Sequence, residues 1–130
     1  MTTDIKVPIS PGELIDKITI LAIKSERMSD AAKLANVRTE LALLEATWRA
    51  SGHDTQLIAV EWAALKTINE KLWVIEDDIR DLERARTFDA RFIELARAVY
   101  ITNDERAQLK RTINTKLGSR IIEEKSYAAY

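Results

Sequence analysis

Over residues 54–86 the chain places Leu65, Ile68, Leu72, Ile75, Ile79 and Leu82 at alternating steps of three and four, with no glycine or proline to interrupt them. Those steps keep apolar side chains on one side of an α-helix, whereas a strand would scatter them over both faces. At 1.5 Å per residue the segment predicts a rod of about 48 Å with a coiled-coil-like face. Everything else must pack along it. The chain has only three glycines and two prolines, and both prolines fall in the first eleven residues. Little turn material is left for a many-stranded sheet, so the expected class is all-α.

The remaining punctuation predicts about five helices in an antiparallel bundle, one domain over 1–130 with the long helix at its centre. Ser10 can cap a first helix over 11–27, with Pro11 at its first position and Glu13 placed to complete a capping box. Ile9 and Leu14 are spaced for a hydrophobic staple across that cap. Ser29 offers a cap for a second helix ending near Ala50, with a narrow stripe of Leu34, Val37, Leu41, Leu44 and Trp48. Ser51-Gly52-His53-Asp54 reads as a loop, with Asp54 capping the long helix. Thr87 and Asn103 are the expected caps of a fourth and a fifth helix, and Gly118 is a stop signal. Alternating Ile5, Val7 and Ile9 suggest a short extended segment over 1–9 lying on the bundle. The tail, 119–130, shows no period.

Composition narrows the chemistry. With 46% apolar and 32% charged residues the chain suits a soluble helical protein. It has no cysteine, which excludes disulfides and thiolate catalysis. The one histidine, His53, reads as a solvated loop residue. Glu76-Asp77-Asp78 are sequential helix neighbours that point apart, so no metal and no cofactor is expected. No Gly-rich phosphate loop and no HExxH or GxSxG pattern occurs. Neither a secretory leader nor an apolar run of membrane-spanning length is visible, so a cytoplasmic location is expected.

Net charge is −1 but unevenly spread. Residues 1–83 hold 10 basic and 15 acidic side chains, while 84–120 hold 9 basic and 4 acidic. Such asymmetry marks either an anionic partner or one half of the molecule facing the other. The basic stretch lacks a dense cationic run, and no recognition motif accompanies it. Nucleic acid is therefore not expected as a partner.

Three clusters are candidates for function. Lys17, Lys24 and Arg27 fall near one line of the first helix, which suits a carboxylate or phosphate and equally suits ordinary rim ion pairs. On the long helix Trp62, Lys66, Asn69, Trp73, Glu76 and Arg80 form a second stripe within about 80° of one another. Tryptophans interleaved with polar groups compose an interface centre or a wet pocket, or simply flank a wide core face. Around Asn103 the residues Arg97, Tyr100, Arg106, Lys110 and Asn114 gather, the last three stepping by four along one face as a candidate anion pocket.

The blocks Pro8-Ile9-Ser10-Pro11-Gly12-Glu13-Leu14-Ile15-Asp16-Lys17-Ile18-Thr19-Ile20-Leu21, Leu72-Trp73-Val74-Ile75-Glu76-Asp77-Asp78-Ile79-Arg80, Ala96-Arg97-Ala98-Val99-Tyr100 and Glu123-Glu124-Lys125-Ser126-Tyr127 resemble those of a bacterial family of short uncharacterised proteins. The resemblance covers nearly the whole chain. It implies no catalytic residues and carries an association with surface-polysaccharide genes. The expectation is a non-enzymatic module that self-associates as a homodimer or homo-oligomer and docks a protein partner. A small all-α enzyme or receptor for an anionic metabolite is the alternative.

Overall fold

The computed structural model describes residues 3–130, so the first two residues of the expected extended segment lie outside the described residues. Four α-helices follow one another: α1 Pro11–Arg27, α2 Ala31–Ala50, α3 Ala59–Arg84 and α4 Ala90–Lys116. A 3-10 turn, Thr55–Ile58, leads into α3, and the described residues form no strand.

Local chemistry accounts for the boundaries. Ser10 is extended and its hydroxyl accepts the Glu13 N–H at 3.2 Å, with Pro11 next in line. The other half of the capping box is replaced, because the Glu13 carboxylate turns to Lys110 and Lys17. Asp30, rather than Ser29, caps α2 by accepting the Lys33 N–H at 2.9 Å. Asp54 caps the 3-10 turn through the Gln56 N–H, which moves the start of α3 five residues later than expected.

The largest correction concerns the C-terminal half. The two short helices expected there are one helix of 27 residues, capped by Asp89 rather than Thr87. Asn103 caps nothing. Its side-chain oxygen accepts a bond from the Arg106 guanidinium at 3.3 Å, and the helix runs through it. Asn and Asp cost only a few tenths of a kcal/mol inside a helix, and no Gly or Pro lies within α4 to break the ladder. At its end Gly118 takes φ +67°, and the Gly118 and Ser119 N–H groups cap the Thr115 and Asn114 carbonyls. Five helices become four, and the single long helix becomes a pair of 26 and 27 residues.

The centre of the bundle also moves. The helix whose backbone runs close to all three others is α1, whereas α3 meets α2 through the contact of Trp62 with Trp48. Leu14, Ile15 and Ile18 of α1 meet Trp48 of α2, Ile58, Leu65 of α3 and Ile113 of α4 in one core. The heptad face of α3 is spent inside the chain, with Leu65 and Ile75 buried and Ile68, Leu72, Ile79 and Leu82 half-buried. On α2 the expected narrow stripe is what faces inward, with Val37 and Trp48 buried and Leu34, Leu41 and Leu44 half-buried. Ile5, Val7 and Ile9 are exposed, so the bundle does not cover the N-terminal segment.

Candidate functional site

The start of α1 meets the second half of α4 in a ladder of polar contacts. The Gly12 N–H donates to Asn114 Oδ1 at 2.7 Å, Lys110 Nζ lies 2.7 Å from Glu13 Oε2, and Arg106 Nε donates to Asp16 Oδ1 at 2.9 Å. A second Arg106 nitrogen donates to Asp16 Oδ2, making the pair bidentate. Arg106, Lys110 and Asn114 thus use their four-residue spacing to hold α1. Gly12 allows the close approach, since a Cβ there would lie 2.5 Å from the Lys110 carbonyl oxygen.

Asp16 is only 1% exposed and forms the hub of this contact. Asn69 of α3 donates to Asp16 Oδ1 at 2.9 Å and to Thr19 Oγ1 at 3.0 Å, and the Thr19 hydroxyl donates back to the Asp16 carbonyl. A buried carboxylate is tolerable only when paired and hydrogen-bonded, and here both conditions hold. The bond to Asp16 raises the Arg106 pKa further above its ordinary value, against the opposing effect of burial. Arg106 is therefore a fixed planar fork, oriented by a charge it cannot leave cheaply.

Two cavities flank that fork. One, of about 480 Å³, lies between α4 and the tail and is bordered by Tyr100, Asn103, Arg106 and Lys110 of the helix with Glu123, Lys125 and Tyr127 of the tail. The other, of about 430 Å³, lies among α1, α3 and α4, where Trp73, Glu76 and Asp77 face Asn103 and Arg106. In the first, Lys110 is buried and also sits 2.9 Å from Glu123 Oε2. Burial pulls its ammonium down, but the bonds to Glu13 and Glu123 outweigh that and leave its pKa raised. The same bond to Lys110 holds the Glu123 carboxyl below its usual range. Glu124 meets Arg111 at 3.2 Å, Lys125 meets Asp104 at 3.4 Å, and the Tyr130 hydroxyl donates to Asp104 at 2.6 Å while its ring packs edge-on against Tyr100.

Other sequence candidates are dispersed. Lys17 pairs with Glu13 at 3.8 Å, Arg27 with Glu70 at 3.8 Å, and Lys24 is half-buried one turn before Arg27; the three do not meet in either cavity. The α3 stripe divides. Trp62 packs edge-on to Trp48 at the core, Lys66 reaches Glu26 of α1 at 2.6 Å, and Asn69 belongs to the Asp16 hub. Trp73 and Glu76 open onto the second cavity, and Arg80 pairs with Glu76 at 3.2 Å on the surface. Arg97 is exposed on α4. His53 is exposed and stacks on Trp48 with ring centroids 5.6 Å apart. Among the described residues no three carboxylate or histidine side chains gather as a metal site. No helix among the described residues is long and apolar enough to cross a membrane.

Asp16, Thr19 and Glu13 stand at the centre of the site although sequence reasoning nominated the cations around them. The available signal was an aspartate beside Leu14, Ile15 and Ile18 on a helix apolar around most of its circumference, where only a specific partner makes a carboxylate tolerable. Glu123, Lys125 and Tyr127 carried only the signal of a block shared with the family and Asp104 carried none, because their role depends on where an aperiodic tail folds back.

The chain belongs to a family of unknown function (DUF6165), whose family model matches residues 5–130. No curated protein and no solved structure matches it.

Proposed function

We propose that this helical protein is a binding module that takes a small polar ligand bearing a carboxylate or phosphate into the cavity between α4 and the tail. The observation that carries the reading is the convergence of Tyr100, Asn103, Arg106 and Lys110 on one cavity of about 480 Å³, a volume suited to a metabolite-sized ligand. A lysine and a pre-oriented guanidinium supply charge-assisted donors, and the phenols and the amide supply directional polar contacts. The carboxylates nearby are committed to cations, so the arrangement favours holding a ligand over activating one. Thermal unfolding in the presence of inorganic phosphate, citrate and glucuronate tests this. A rise in Tm with one of these anions, lost in Lys110→Gln, is expected; no rise with any of them at tens of millimolar overturns the reading.

A second reading is self-association, as a homodimer or with a protein partner. It is favoured by the uncovered side chains of Ile5, Val7 and Ile9, which alternate along a segment with no regular structure. Sedimentation of the wild type against an Ile5→Ser/Val7→Ser variant tests it, and a wild-type monomer at high concentration overturns it. A cytoplasmic location and a link to surface-polysaccharide assembly belong to this proposal, the second resting on the family resemblance alone.

A further inference from the structure

Three cations border the cavity under the tail, and four carboxylates face them. Asp16 holds Arg106, Glu13 holds Lys110 and Asp104 holds Lys125, so each cation has a carboxylate supplied by a helix. Glu123 is the fourth. It is the second carboxylate on Lys110, it is carried by irregular chain, and its side chain is 57% exposed. The charges balance without it.

The rest of the tail is fastened in the same light way. Its contacts with α4 include Glu124 on Arg111 and Lys125 and Tyr130 on Asp104, while Tyr127 and Tyr130 remain 84% and 79% exposed. Exposed ion pairs contribute little to stability, because water screens them and two long side chains must be ordered to form them. A segment held by a few of them, with little apolar burial, lies at the low end of local stability.

We propose that Glu123 is an internal stand-in for the ligand's anionic group, and that the tail straps the cavity until a carboxylate or phosphate takes its place on Lys110 and frees residues 122–130. The proposal rests on the cavity being a ligand site, as read above. An anion entering beside Glu123 would add a fifth negative group against three cations, which the local field opposes. An anion replacing Glu123 keeps the bond count of Lys110 and returns the Glu123 carboxylate to water. The ligand therefore enters by exchange, and its apparent affinity carries the cost of releasing the strap.

The full-length wild type, Glu123→Gln and the charge control Glu94→Gln are each titrated with inorganic phosphate and, separately, citrate at fixed ionic strength. Glu94 pairs with Arg91, about 24 Å along α4 from Lys110. Amide NMR shifts of residues 103–111 report binding, and 15N relaxation of residues 122–130 reports the strap. The expected result is that at least one anion shifts the α4 amides and loosens the tail with the same midpoint. Glu123→Gln then binds that anion about two- to five-fold tighter, the worth of one partly exposed ion pair, and its tail is loose before any anion is added. Glu94→Gln matches the wild type. Equal affinity in Glu123→Gln and wild type, or a tail still rigid at saturation, overturns the strap and leaves the cavity reading standing. If neither anion shifts the α4 amides even in Glu123→Gln, the cavity reading fails and the strap with it.

Discussion

At the scale of single residues, Gly12 and Arg106 carry the heaviest constraints. Gly12 sits in the first turn of α1, where alanine would ordinarily improve a helix by up to about 1 kcal/mol. Here the added methyl would meet the Lys110 carbonyl oxygen at 2.5 Å and Asn114 Oδ1 at 2.9 Å, and backbone cannot step aside as a side chain can. Gly12→Ala is therefore expected to lose about 1–3 kcal/mol in urea unfolding; a neutral or stabilised variant would mean that α1 and α4 separate freely. Arg106→Ala strands Asp16, which is 1% exposed and keeps only the Asn69 amide. Breaking a buried pair from one side costs about 3 kcal/mol or more, whereas Arg80→Ala, whose partner Glu76 is itself half in water, should cost well under about 1 kcal/mol. Comparable losses in the two variants would contradict the burial of the hub. Much of this ladder was legible one side at a time. The four-residue spacing of Arg106, Lys110 and Asn114 marked a face, and Asp16 amid isoleucines marked a need. That the two belong together was not legible, because periodicity reports which residues share a face and carries no register between helices 90 residues apart.

Among elements, the caps and stripes came through the sequence where one signal acted alone. Pro11 after Ser10 and the α2 stripe are examples. The reading failed where two capping residue types stood close together, as Ser29 with Asp30 and Thr87 with Asp89, and at Asn103, whose amide answers Arg106 one turn on and leaves α4 unbroken. The ion pairs between elements set the pH response. Glu61, at the start of α3, is held below the usual carboxylate range chiefly by its bond to Lys116 of α4, and Glu123 is held below that range by Lys110. A carboxyl with a depressed folded pKa binds fewer protons folded than unfolded. Its contribution is complete above about pH 4.5 and is lost as pH falls through the lower folded value. Lys66, bonded to Glu26, and Lys110, bonded to Glu13 and Glu123, have raised values, so their contribution is complete below about pH 10.5 and is lost only as pH rises beyond it. Denaturation midpoints should therefore hold a plateau between these limits and fall on the acid side below pH 4.5. In Glu61→Gln the acid limb should flatten. An unchanged acid limb in that variant would show that Glu61 does not titrate with folding.

For the whole molecule the uneven charge finds its explanation within the chain. Arg91, Arg106, Lys110 and Lys116, all from the basic stretch, pair with Asp78, Asp16, Glu13 and Glu61 from the acidic one. Self-complementarity of this kind joins α4 to α1 and α3, and it leaves α2 outside the network. That helix presents one stripe to the core, with Val37 and Trp48 its only buried side chains, while α1 buries Leu14, Ile15, Asp16, Ile18, Thr19, Leu21 and Ile23 along most of its length. Local stability follows buried apolar contact and protected backbone, so the bundle should not open evenly. Native-state hydrogen exchange is expected to show α2 amides opening at a lower free energy than those of α1, with the α1 amides between Ile15 and Ile23 approaching the global value. The Trp48 end of α2 should be the slower end, since the Trp48 indole donates to Thr55 at 2.9 Å and its ring packs against Trp62. If α1 and α2 exchange as one unit, the central helix and the outer one are equally committed to the core, and the one-sided stripe of α2 is stronger than its burial implies.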